Sequence, residues 1–522
     1  MGLSRSAITR FFIPLTLFLG TFFAISATIE DYGITLDEGF YIKSSRSIES
    51  WFEHASRSTA YFTDDAVTAS WKSDLWEDTL SGNVHPPFYK LSAIVFRHFP
   101  GRLFFDNIVF QYRVSTAFWA SLLVVMLFLV VRRFTGSTGW ALLGSLSFIT
   151  VPRFFADAHF FATDMIIASL GFSGLAVFMF AARSWVRILL GGMLFGAALA
   201  TKFTGILALM LVVPMIVIAE NRKQFLKEYC FMVLLACFFF SIFNFPVLFN
   251  PQRELTFYFS SFFNRAERIP MSVLYFGDVY NHLPFHQPWV MLGITLPPIM
   301  VITAIMGIIG GIVRFIRNRD KFSYVSLAPF LLCMIVYMLP STPKHDGIRL
   351  FSSAWPFIVL LSISGCYWLQ GLVLQKYRIG MIIVILSLAL TVFQLYAYHH
   401  YELSYYNQFI GGARGAQDKG FTVSYWYEAF NKDFFRRVAE IVGNEEAAVY
   451  SYPLKYSFEI NQSYGLSPTK LHSVEANEDY KYILVYNRFL SRDDRESLGQ
   501  FMPLIEIKAP DGAFIGGFYQ NK

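Results

Sequence analysis

The chain contains a series of apolar runs, most of them close to twenty residues long, separated by short loops rich in arginine and lysine. About twenty apolar residues are what an α-helix needs to cross the hydrocarbon core of a bilayer. The composition agrees, since 55% of the 522 residues are hydrophobic and only 15% are charged. The sequence therefore predicts a polytopic α-helical membrane protein.

The cationic residues beside these runs predict about eleven transmembrane helices and the direction in which each one crosses. Arg5 and Arg10 precede the first run, so the positive-inside rule places the N-terminus in the cytoplasm. We interpret this run as a retained span, because no small-residue cleavage site follows it cleanly. The runs cover residues 11–27, 114–131, 140–151, 165–182, 189–200, 205–219, 231–249, 291–313, 324–339, 350–369 and 380–396.

This topology divides the chain into two predicted domains. Residues 1–397 form the transmembrane domain, with juxtamembrane and extracytoplasmic loops at 28–112 and 250–288. Residues 398–522 have ordinary polarity, with a helical pattern near 429–442 and strand-like segments at 447–450 and 482–486. They predict a small α/β domain outside the cytoplasm. The four cysteines lie in apolar runs, where we expect each to be a small packing residue rather than part of a disulfide.

The formal net charge of +6 excludes few partners by itself, but its distribution is informative. The basic excess belongs to the membrane part, where anionic lipid head groups lie, and not to the C-terminal region. The sequence therefore favours membrane lipids over nucleic acid as partners.

Two adjacent acids, Asp37 and Glu38, follow the first run at the predicted outer surface. A charged pair beside a bilayer is either a reactive group or a helix cap, because negative charge is favourable at a helix N-terminus. Both interpretations remain open for each acid.

Six short motifs on the predicted outer face carry a family resemblance. Together they resemble the glycosyltransferase C superfamily, and within it the protein O-mannosyltransferases and the bacterial lipid A aminoarabinose transferases. The resemblance covers roughly residues 30 to 430, and the last hundred residues add little to it. The motifs are Thr35–Glu38, His85–Lys90, Ala162–Met165, Thr201–Gly205, Pro343–Arg349, and Tyr405–Asn407 with Gly411 and Gly412.

The resemblance implies transfer of a sugar from a polyprenyl-phosphate donor to a lipid, glycan or protein acceptor outside the cytoplasm. Such a reaction needs a carboxylate that takes a proton from the acceptor hydroxyl. The residues alone do not distinguish Asp37 from Glu38, although the family pattern favours the first acid. Asp164, with His159 and Asp157 close before it, predicts a second wall of the site, although an acid at a helix start also acts as a cap.

A leaving phosphate requires cations at the level of the head groups, since negative charge grows on its oxygens as the glycosidic bond breaks. Arg349 is the strongest candidate because a guanidinium binds phosphate with two hydrogen bonds. Snorkelling toward lipid head groups is the alternative for each cation. The predicted phosphate-binding residues are Lys202, Lys344, His345 and Arg349, with Arg113 as a weaker addition.

Three further residues are expected to contact substrate, namely His85, Lys90 and Tyr280, together with His159. His85 is equally explained as part of a proline-initiated helix start preceding an amphipathic helix at 88–99. No tight ligand spacing predicts a metal, so no cofactor is expected as obligatory, although a divalent cation is compatible with the acids present.

A transporter or flippase for a lipid-linked sugar is the alternative from another class. Such proteins place charges at mid-membrane depth and show internal repeats. Here the charges cluster at one face and no repeat is visible. The sequence therefore favours a plasma (inner) membrane glycosyltransferase, and it leaves the sugar, the acceptor and the oligomeric state open.

Overall fold

The computed structural model describes residues 11–72, 85–263, 271–372, 378–488, 490 and 492–521. Over these residues the chain forms a bundle of helices with a mixed sheet near the C-terminus. The helices of the first half are α1 (Ile13–Ala27), α2 (Leu36–Ala55), α3 (Asp64–Trp71), α4 (Phe88–Phe96), α5 (Ile108–Thr135), α6 (Thr138–Ile149), α7 (Pro152–Asp157), α8 (Thr163–Phe180), α9 (Ser184–Leu199), α10 (Gly205–Met210), α11 (Arg222–Phe243) and α12 (Pro251–Phe263).

The second half continues the bundle and then forms the sheet. Its helices are α13 (Gln287–Thr295), α14 (Pro298–Asn318), α15 (Lys321–Met338), α16 (Trp355–Leu372), α17 (Ile379–Tyr398), α18 (Gly412–Asp418), α19 (Lys432–Val442), α20 (Lys455–Ser463) and α21 (Arg492–Ser497). The strands are β1 (Val273–Tyr275), β2 (Asp278–Tyr280), β3 (Ala447–Tyr452), β4 (Leu471–Val474), β5 (Tyr482–Tyr486), β6 (Met502–Lys508) and β7 (Phe514–Gln520).

Eight helices within the described ranges are long and apolar enough to cross a membrane, and three shorter apolar segments lie where the remaining predicted spans fall. The polytopic helical membrane fold is therefore confirmed. The count of eleven spans stays a prediction, and Arg5 and Arg10, which helped to orient them, lie outside the described residues. The eight long helices are α1, α5, α8, α11, α14, α15, α16 and α17.

Two details of the sequence interpretation need correction. The run 291–313 is not one helix, because α13 ends before the Pro297–Pro298 pair and α14 begins at its second proline. Proline has no N–H to donate and disfavours the helical conformation in the residue before it, so the pair interrupts the helix. Cys230 and Cys237 are exposed on α11 and are not core packing residues, whereas Cys333 and Cys366 are buried.

The juxtamembrane segment after α1 is helical and folds onto the bundle. Thr35 and Glu38 form a capping box at the start of α2, in which each side chain interacts with the other's backbone N–H. The amphipathic helix expected at 88–99 is present as α4 and ends at Phe96. Helix α2 packs against α3 and α4, and its first turn is fixed by buried Glu38, which accepts from Arg113 and from the Phe161 N–H.

The C-terminal region forms a five-stranded sheet in the order β4-β3-β5-β7-β6, in which β3 runs parallel to β4 and β5. Strands β3 and β5 cover the two segments predicted as strands, and α19 covers most of the predicted helix. The boundary at 397/398 and the independence of this region as an extracytoplasmic domain stay predictions.

The segment leading into α19 is anchored directly to the chain between α1 and α2. The Gly33 N–H donates to the Glu428 carbonyl oxygen over 2.8 Å, and Asn431 Nδ2 donates to the Asp31 carbonyl oxygen over 2.8 Å. A Cβ at position 33 would lie 2.4 Å from the Phe430 carbonyl oxygen, so this contact requires glycine. The C-terminal residues are thus brought to the same end of the bundle as Asp37.

His399 forms a second link between these regions. Its Nε2 lies 2.8 Å from Asp31 Oδ2 and its Nδ1 lies 2.9 Å from Glu402 Oε1. The hydrogen bond that the His399 ring donates to the Glu402 carboxylate raises the pKa of His399 to about 9 against the opposing effect of burial. The protonated imidazole therefore joins the end of the first span to the chain after α17.

Loss of this link gives a pH dependence of stability. Because the folded-state pKa of His399 lies above its ordinary value of 6.5, its stabilisation is fully present below about pH 6.5 and is lost as the pH rises through about 9. We expect the difference in thermal midpoint between the wild type and His399→Gln to be constant at acid pH and to shrink on the alkaline side. Thermal unfolding in detergent across this range tests it, and a difference that does not vary with pH would contradict it.

Two glycines allow a close contact between α14 and α16. A Cβ at Gly307 of α14 would lie 2.0 Å from the Leu361 carbonyl oxygen of α16, and a Cβ at Gly365 would lie 2.2 Å from the Thr303 carbonyl oxygen. Small residues let the backbones of membrane helices approach closely. The packing of α16, which carries Arg349 just before it, depends on this contact.

We expect Gly307→Val to destabilise the protein by about 1–3 kcal/mol or more, because the added side chain forces α14 and α16 apart. Gly293→Ala is the matched control, since a Cβ there meets nothing within 4 Å. Thermal unfolding of the two purified variants makes the comparison. An unchanged midpoint for Gly307→Val would show that the helices separate without cost.

Candidate active site

One buried guanidinium, that of Arg349, joins three carboxylates from different parts of the chain. Its Nη1 lies 2.8 Å from Asp37 Oδ2 and 3.7 Å from Asp164 Oδ2, and its Nη2 lies 2.6 Å from Asp346 Oδ2. The face of the guanidinium lies 4.0 Å from the centre of the Trp426 ring. We call Asp37, Asp164, Asp346, Lys202 and Arg349 the carboxylate cluster.

Asp37 is the most accessible carboxylate of this cluster, with 22% of its side chain exposed, against 2% for Asp164 and 6% for Asp346. It lies in the first turn of α2, where the helix N-terminus favours negative charge. The hydrogen bond from Arg349 fixes one of its oxygens. A substrate hydroxyl can therefore approach Asp37 while the rest of the cluster is shielded.

Asp164 and Lys202 form the second side of the cluster. Asp164 lies in the first turn of α8, and Lys202 Nζ, from the turn between α9 and α10, donates to its Oδ1 over 2.5 Å. The hydroxyl of Tyr258 donates to the Leu199 carbonyl oxygen over 3.2 Å and fixes the chain just before Lys202. The structure thus brings together the acid and the cation that the sequence placed on separate spans.

A tight turn presents Asp346. Asp346 and Gly347 have φ values of +56° and +67°, and a Cβ at position 347 would lie 2.3 Å from Arg153 Nη1. Glycine is therefore required at 347 on both conformational and steric grounds. Burial opposes ionisation, but the charges of Arg488 and Arg349 hold the pKa of Asp346 below its ordinary value. Arg488 Nη2 lies 3.1 Å from Asp346 Oδ1.

Glu38 has a different environment from its neighbour Asp37. Its side chain is fully buried, and its two oxygens accept from Arg113 Nε and Nη2, each over 2.8 Å, and from the backbone N–H groups of Thr35 and Phe161. Arg113 also donates to carbonyl oxygens of the chain between α1 and α2. The geometry therefore gives Glu38 and Arg113 structural contacts within the protein, and of the two acids it favours Asp37 as the reactive one.

Two of the four predicted phosphate-binding residues lie in the cluster and two do not. Lys344 is buried, and its Nζ donates to the carbonyl oxygens of Leu339 and Thr342 over 2.8 and 3.2 Å. His345 is adjacent, with Nε2 3.9 Å from Asp346 Oδ2, but burial lowers its pKa to about 4. An imidazole that is neutral at ordinary pH does not supply the cation expected at 345.

Two of the four residues predicted to contact substrate, His159 and Lys90, are engaged within the protein. His159 is fully buried between the Thr28 hydroxyl at 2.8 Å and the Phe155 carbonyl oxygen at 2.7 Å, and burial lowers its pKa to about 3. Lys90 is buried, with Nζ 2.7 Å from Ser44 Oγ. These contacts favour a structural interpretation of both residues.

His85 and Tyr280 lie elsewhere around the site. The His85 ring is buried 5.6 Å from that of Phe203, the residue that follows Lys202. Tyr280 is half-buried in the β1–β2 hairpin, with its ring 6.0 Å from that of Tyr275. A substrate contact by either residue stays a prediction.

Sequence reasoning missed three contributors to the cluster. Asp346 lies in the Pro343–Arg349 motif, but no role was assigned to it from the sequence. Its position three residues before Arg349 was the feature that could have indicated an ion pair between them. Trp426 and Arg488 belong to the C-terminal region, which carries little of the family resemblance, and no local pattern indicated them. That region therefore contributes directly to the candidate site.

Asp157 is buried close to the cluster, and neither of its carboxylate oxygens has a hydrogen-bond partner among the described residues. Burial, together with the charge of Asp164, raises its pKa above the ordinary value. Glu428 is also buried, accepts from the Tyr486 hydroxyl over 2.8 Å, and has its pKa raised by burial to about 7. Both acids are thus buried carboxyl groups whose ionisation is opposed by their surroundings.

Within the described ranges, no group of three or more histidine, cysteine or acidic side chains is arranged to hold a metal ion. In the carboxylate cluster, the guanidinium of Arg349 lies between the acids that could otherwise share a cation. The positive charges in this arrangement come from Arg349, Lys202 and Arg488.

Comparisons with known proteins agree with this description. A family model described as dolichyl-phosphate-mannose-protein mannosyltransferase matches residues 62–257, a stretch that includes Asp164 and Lys202. No curated protein sequence matches the chain.

Three solved structures align with most of this chain. Apo ArnT from Cupriavidus metallidurans aligns over 97% of this chain and 98% of its own with a TM-score of 0.50 at 14% identity. ArnT from Cupriavidus metallidurans bound to undecaprenyl phosphate aligns with a TM-score of 0.49 at 13% identity, again over 97% of this chain and 98% of its own. The apo Archaeoglobus fulgidus oligosaccharyltransferase aligns with a TM-score of 0.47 at 10% identity, over 92% of this chain and 70% of its own. The chain has the fold of apo ArnT, and the resemblance to the glycosyltransferase C superfamily is confirmed.

The two acids of the dyad are expected to respond differently to loss of charge. Glu38→Gln leaves Arg113 buried without its counter-charge, which destabilises the protein by about 3–5 kcal/mol. Asp37→Asn changes stability by about 1 kcal/mol or less, since Asp37 is partly exposed and Arg349 retains Asp346. Thermal unfolding of both variants measures the difference. Equal losses of stability would show that the two carboxylates contribute equally to the free energy of unfolding, contrary to this prediction.

Proposed function

We propose that this protein is an integral membrane glycosyltransferase that moves a sugar from a polyprenyl-phosphate donor to an acceptor hydroxyl, with Asp37 as the base. The proposal rests on one observation: the carboxylates of Asp37, Asp164 and Asp346 converge on the guanidinium of Arg349, and Lys202 forms an ion pair with Asp164. It combines a proton acceptor and phosphate-binding cations within a few ångströms. This pairing is what transfer from a lipid phosphate requires.

Asp37 would accept the proton. In a direct displacement the acceptor oxygen attacks the anomeric carbon, its bond to the sugar forms as the bond to the phosphate oxygen breaks, and the hydroxyl proton moves to Asp37. The sugar configuration is inverted in such a step. The partial exposure of Asp37 and its anchoring by Arg349 support this role over that of Glu38.

Arg349 and Lys202 would bind the leaving phosphate. Negative charge develops on its oxygens during bond cleavage, and prearranged cations in a water-poor site stabilise that charge strongly. Arg349 is 6% exposed and Lys202 8% exposed, so both act in a shielded environment. The family model that names a dolichyl-phosphate donor matches the stretch containing Lys202, which supports a polyprenyl carrier.

Asp164 would position the cations. It contacts Lys202 directly and lies 3.7 Å from Arg349, so its carboxylate sets the distance between the two charges. Without it, each long side chain has more conformational freedom and a less defined place for the phosphate. A role in orienting the sugar or the acceptor hydroxyl, as expected from the sequence, is compatible with the same position.

The site is proposed to face away from the cytoplasm in a plasma (inner) membrane. The support is topological: Asp37, Asp164, Lys202 and Arg349 all lie at or just beyond helix ends, and charge-based orientation assigns those ends to the outer face. The acidic and basic groups converge at one end of the bundle. A lipid flippase would instead require charges distributed along a path across it.

Transfer from radiolabelled polyprenyl-phosphate sugars to a membrane extract tests the proposal. Asp37→Asn is expected to reduce the rate of transfer by about 10²–10⁴-fold while the donor still binds, because only the base is lost. Arg436→Ala is the control, since its side chain is exposed on α19 and pairs only with nearby Asp433 within the described residues. A wild type that moves the lipid across vesicles and transfers no sugar would favour the flippase instead.

Arg349→Ala is expected to weaken donor binding and to lower the transfer rate, because the phosphate loses a guanidinium that would bind it with two hydrogen bonds. Arg349→Lys should restore little, since an ammonium does not span Asp37 and Asp346 together. Binding of labelled donor to purified protein in detergent separates the two effects. Unchanged donor affinity in Arg349→Ala would assign phosphate binding to other residues.

A further inference from the structure

A groove separates α2 from α20 and begins within one helical turn of Asp37. It encloses about 570 Å³, a size within the range of pockets for small ligands. None of its residues carries a role in the carboxylate cluster. Its lining includes Phe40, Lys43 and Arg46 of α2 together with Tyr456, Ile460 and Tyr464.

The walls of the groove are held by specific contacts. Gly39 lets α20 approach, since a Cβ there would lie 2.0 Å from Ile460 Cδ1. The Phe40 and Tyr456 rings stack with centres 4.7 Å apart and planes 20° apart. The Tyr464 hydroxyl donates to the Gly39 carbonyl oxygen over 3.4 Å. Specific contacts between the juxtamembrane helix α2 and the C-terminal region therefore form the groove, and one of its walls is aromatic.

The groove is strongly basic on the side of α2. Lys43 and Arg46 are both exposed, and residues three apart lie on the same side of a helix. Neither has an ion-pair partner among the residues that the structure describes. In contrast, Arg97 and Arg113, on the elements packed beside α2, are each paired with a glutamate of that helix.

The groove lies near the proposed base, since its lining includes Gly39, two residues after Asp37. The negative charge of Asp37 reaches Tyr456, where burial and then nearby charges raise the pKa of the phenol. Along the axis of α2, Lys43 and Arg46 lie roughly 9 and 14 Å beyond Asp37 at a rise of about 1.5 Å per residue, and at about 100° per residue they point roughly 120° and 180° away from it around the helix. A molecule whose hydroxyl reaches Asp37 around the first turn of α2 would have its next groups between these cations and the aromatic wall.

We infer that this groove is the acceptor site and that the acceptor carries a phosphate or carboxylate bound by Lys43 and Arg46. The inference rests on the proposed function, because it is Asp37 as the base that makes the groove an approach for an acceptor. The donor phosphate has its own cations in Arg349 and Lys202, which are buried and lie within the bundle. Two separate cationic places therefore serve two different anions.

The chemistry of the groove describes the acceptor further. The stacked ring pair offers a flat apolar face that suits a sugar ring or a planar group, and the two cations suit an anion about two to three helical turns from the reacting hydroxyl. A lipid-linked anionic glycan and a free anionic glycan share this chemistry. The solubility of the labelled product distinguishes them.

The test compares the wild type with the double variant Lys43→Glu/Arg46→Glu in nanodiscs of phosphatidylcholine, which carries no net charge. Transfer from radiolabelled polyprenyl-phosphate sugar is measured against increasing amounts of membrane extract. We expect kcat/KM for the acceptor to fall at least ten-fold and KM for the donor to stay like that of the wild type. The labelled product of the wild type should bind an anion exchanger, and it should partition into organic solvent if the acceptor is lipid-linked or into water if it is free.

Lys223→Glu/Lys227→Glu is the matched control, because it reverses two exposed cations on one face of α11, at the predicted cytoplasmic end. Lys43→Arg/Arg46→Lys keeps both charges and should retain acceptor use. Salt near 0.5 M should weaken acceptor use by the wild type and partly restore it in the reversed variant, because salt screens attraction and repulsion between exposed charges alike.

The outcomes separate the two proposals. Transfer by the wild type with a neutral product, or with the same acceptor dependence in the reversed variant, overturns the groove assignment and leaves the glycosyltransferase function standing. An effect of charge reversal that appears only in nanodiscs containing anionic lipid assigns the cations to head-group attraction and also overturns it. Absence of transfer from any donor by the wild type rejects the proposed function and, with it, an acceptor role for the groove.

Discussion

A single guanidinium surrounded by carboxylates is the interaction on which the candidate site depends. Arg349 lies just before α16, Asp37 opens α2, Asp164 opens α8, and Asp346 occupies the turn before Arg349 itself. Taking a charge out of water costs several kcal/mol, so a buried arginine persists only where partners surround it. The three acids provide them, and Trp426 covers the remaining face. Four segments that are distant in sequence are thereby fixed relative to one another.

A second buried ion pair explains why adjacent acids have different environments. Successive residues of a helix point about 100° apart, so Asp37 and Glu38 cannot share one environment. Glu38 turns inward to Arg113, which also holds the carbonyl groups of the chain entering α2. Asp37 consequently turns toward Arg349. The capping interpretation thus fits Glu38, and the proposed reactive role falls to Asp37.

The sequence predicted the membrane fold well because lipid imposes a simple rule on composition. Apolar runs and cationic loops follow from the need to satisfy backbone polar groups inside a bilayer, and they are visible without any tertiary knowledge. The interruption at Pro297 and Pro298 was readable from the residues but lay inside an otherwise continuous apolar run. The five-stranded order of the C-terminal sheet was not readable, since register depends on contacts distant in sequence.

The site was only partly predictable for a related reason. Asp37, Asp164, Lys202 and Arg349 stood in motifs at predicted helix ends, so their convergence at one end of the bundle could be expected. Charge type alone did not reveal which cations were already engaged.

Lys344 donates hydrogen bonds to nearby carbonyl oxygens, and burial keeps His345 neutral. No local sequence pattern indicates either of these two environments. Trp426 and Arg488 reach the cluster from the C-terminal region, where the sequence carried no signal for them.

The charge balance of the cluster bears on how the proposed reaction would proceed. Asp37, Asp164 and Asp346 oppose Arg349, Lys202 and Arg488, so the group is close to neutral as a whole. A sugar phosphodiester brings one negative charge, and its cleavage leaves a phosphate monoester with a second. Proton transfer from the acceptor to Asp37 removes one negative charge from the protein at that moment.

Arg349 then has one fewer carboxylate competing for its Nη1, and it can interact more strongly with the phosphate as charge accumulates there. The contact between Asp37 and Arg349 therefore couples the base to the leaving group through a single guanidinium. On this argument the proton acceptor and the phosphate-binding cation must be direct neighbours. Separating them by one intervening residue would weaken both functions.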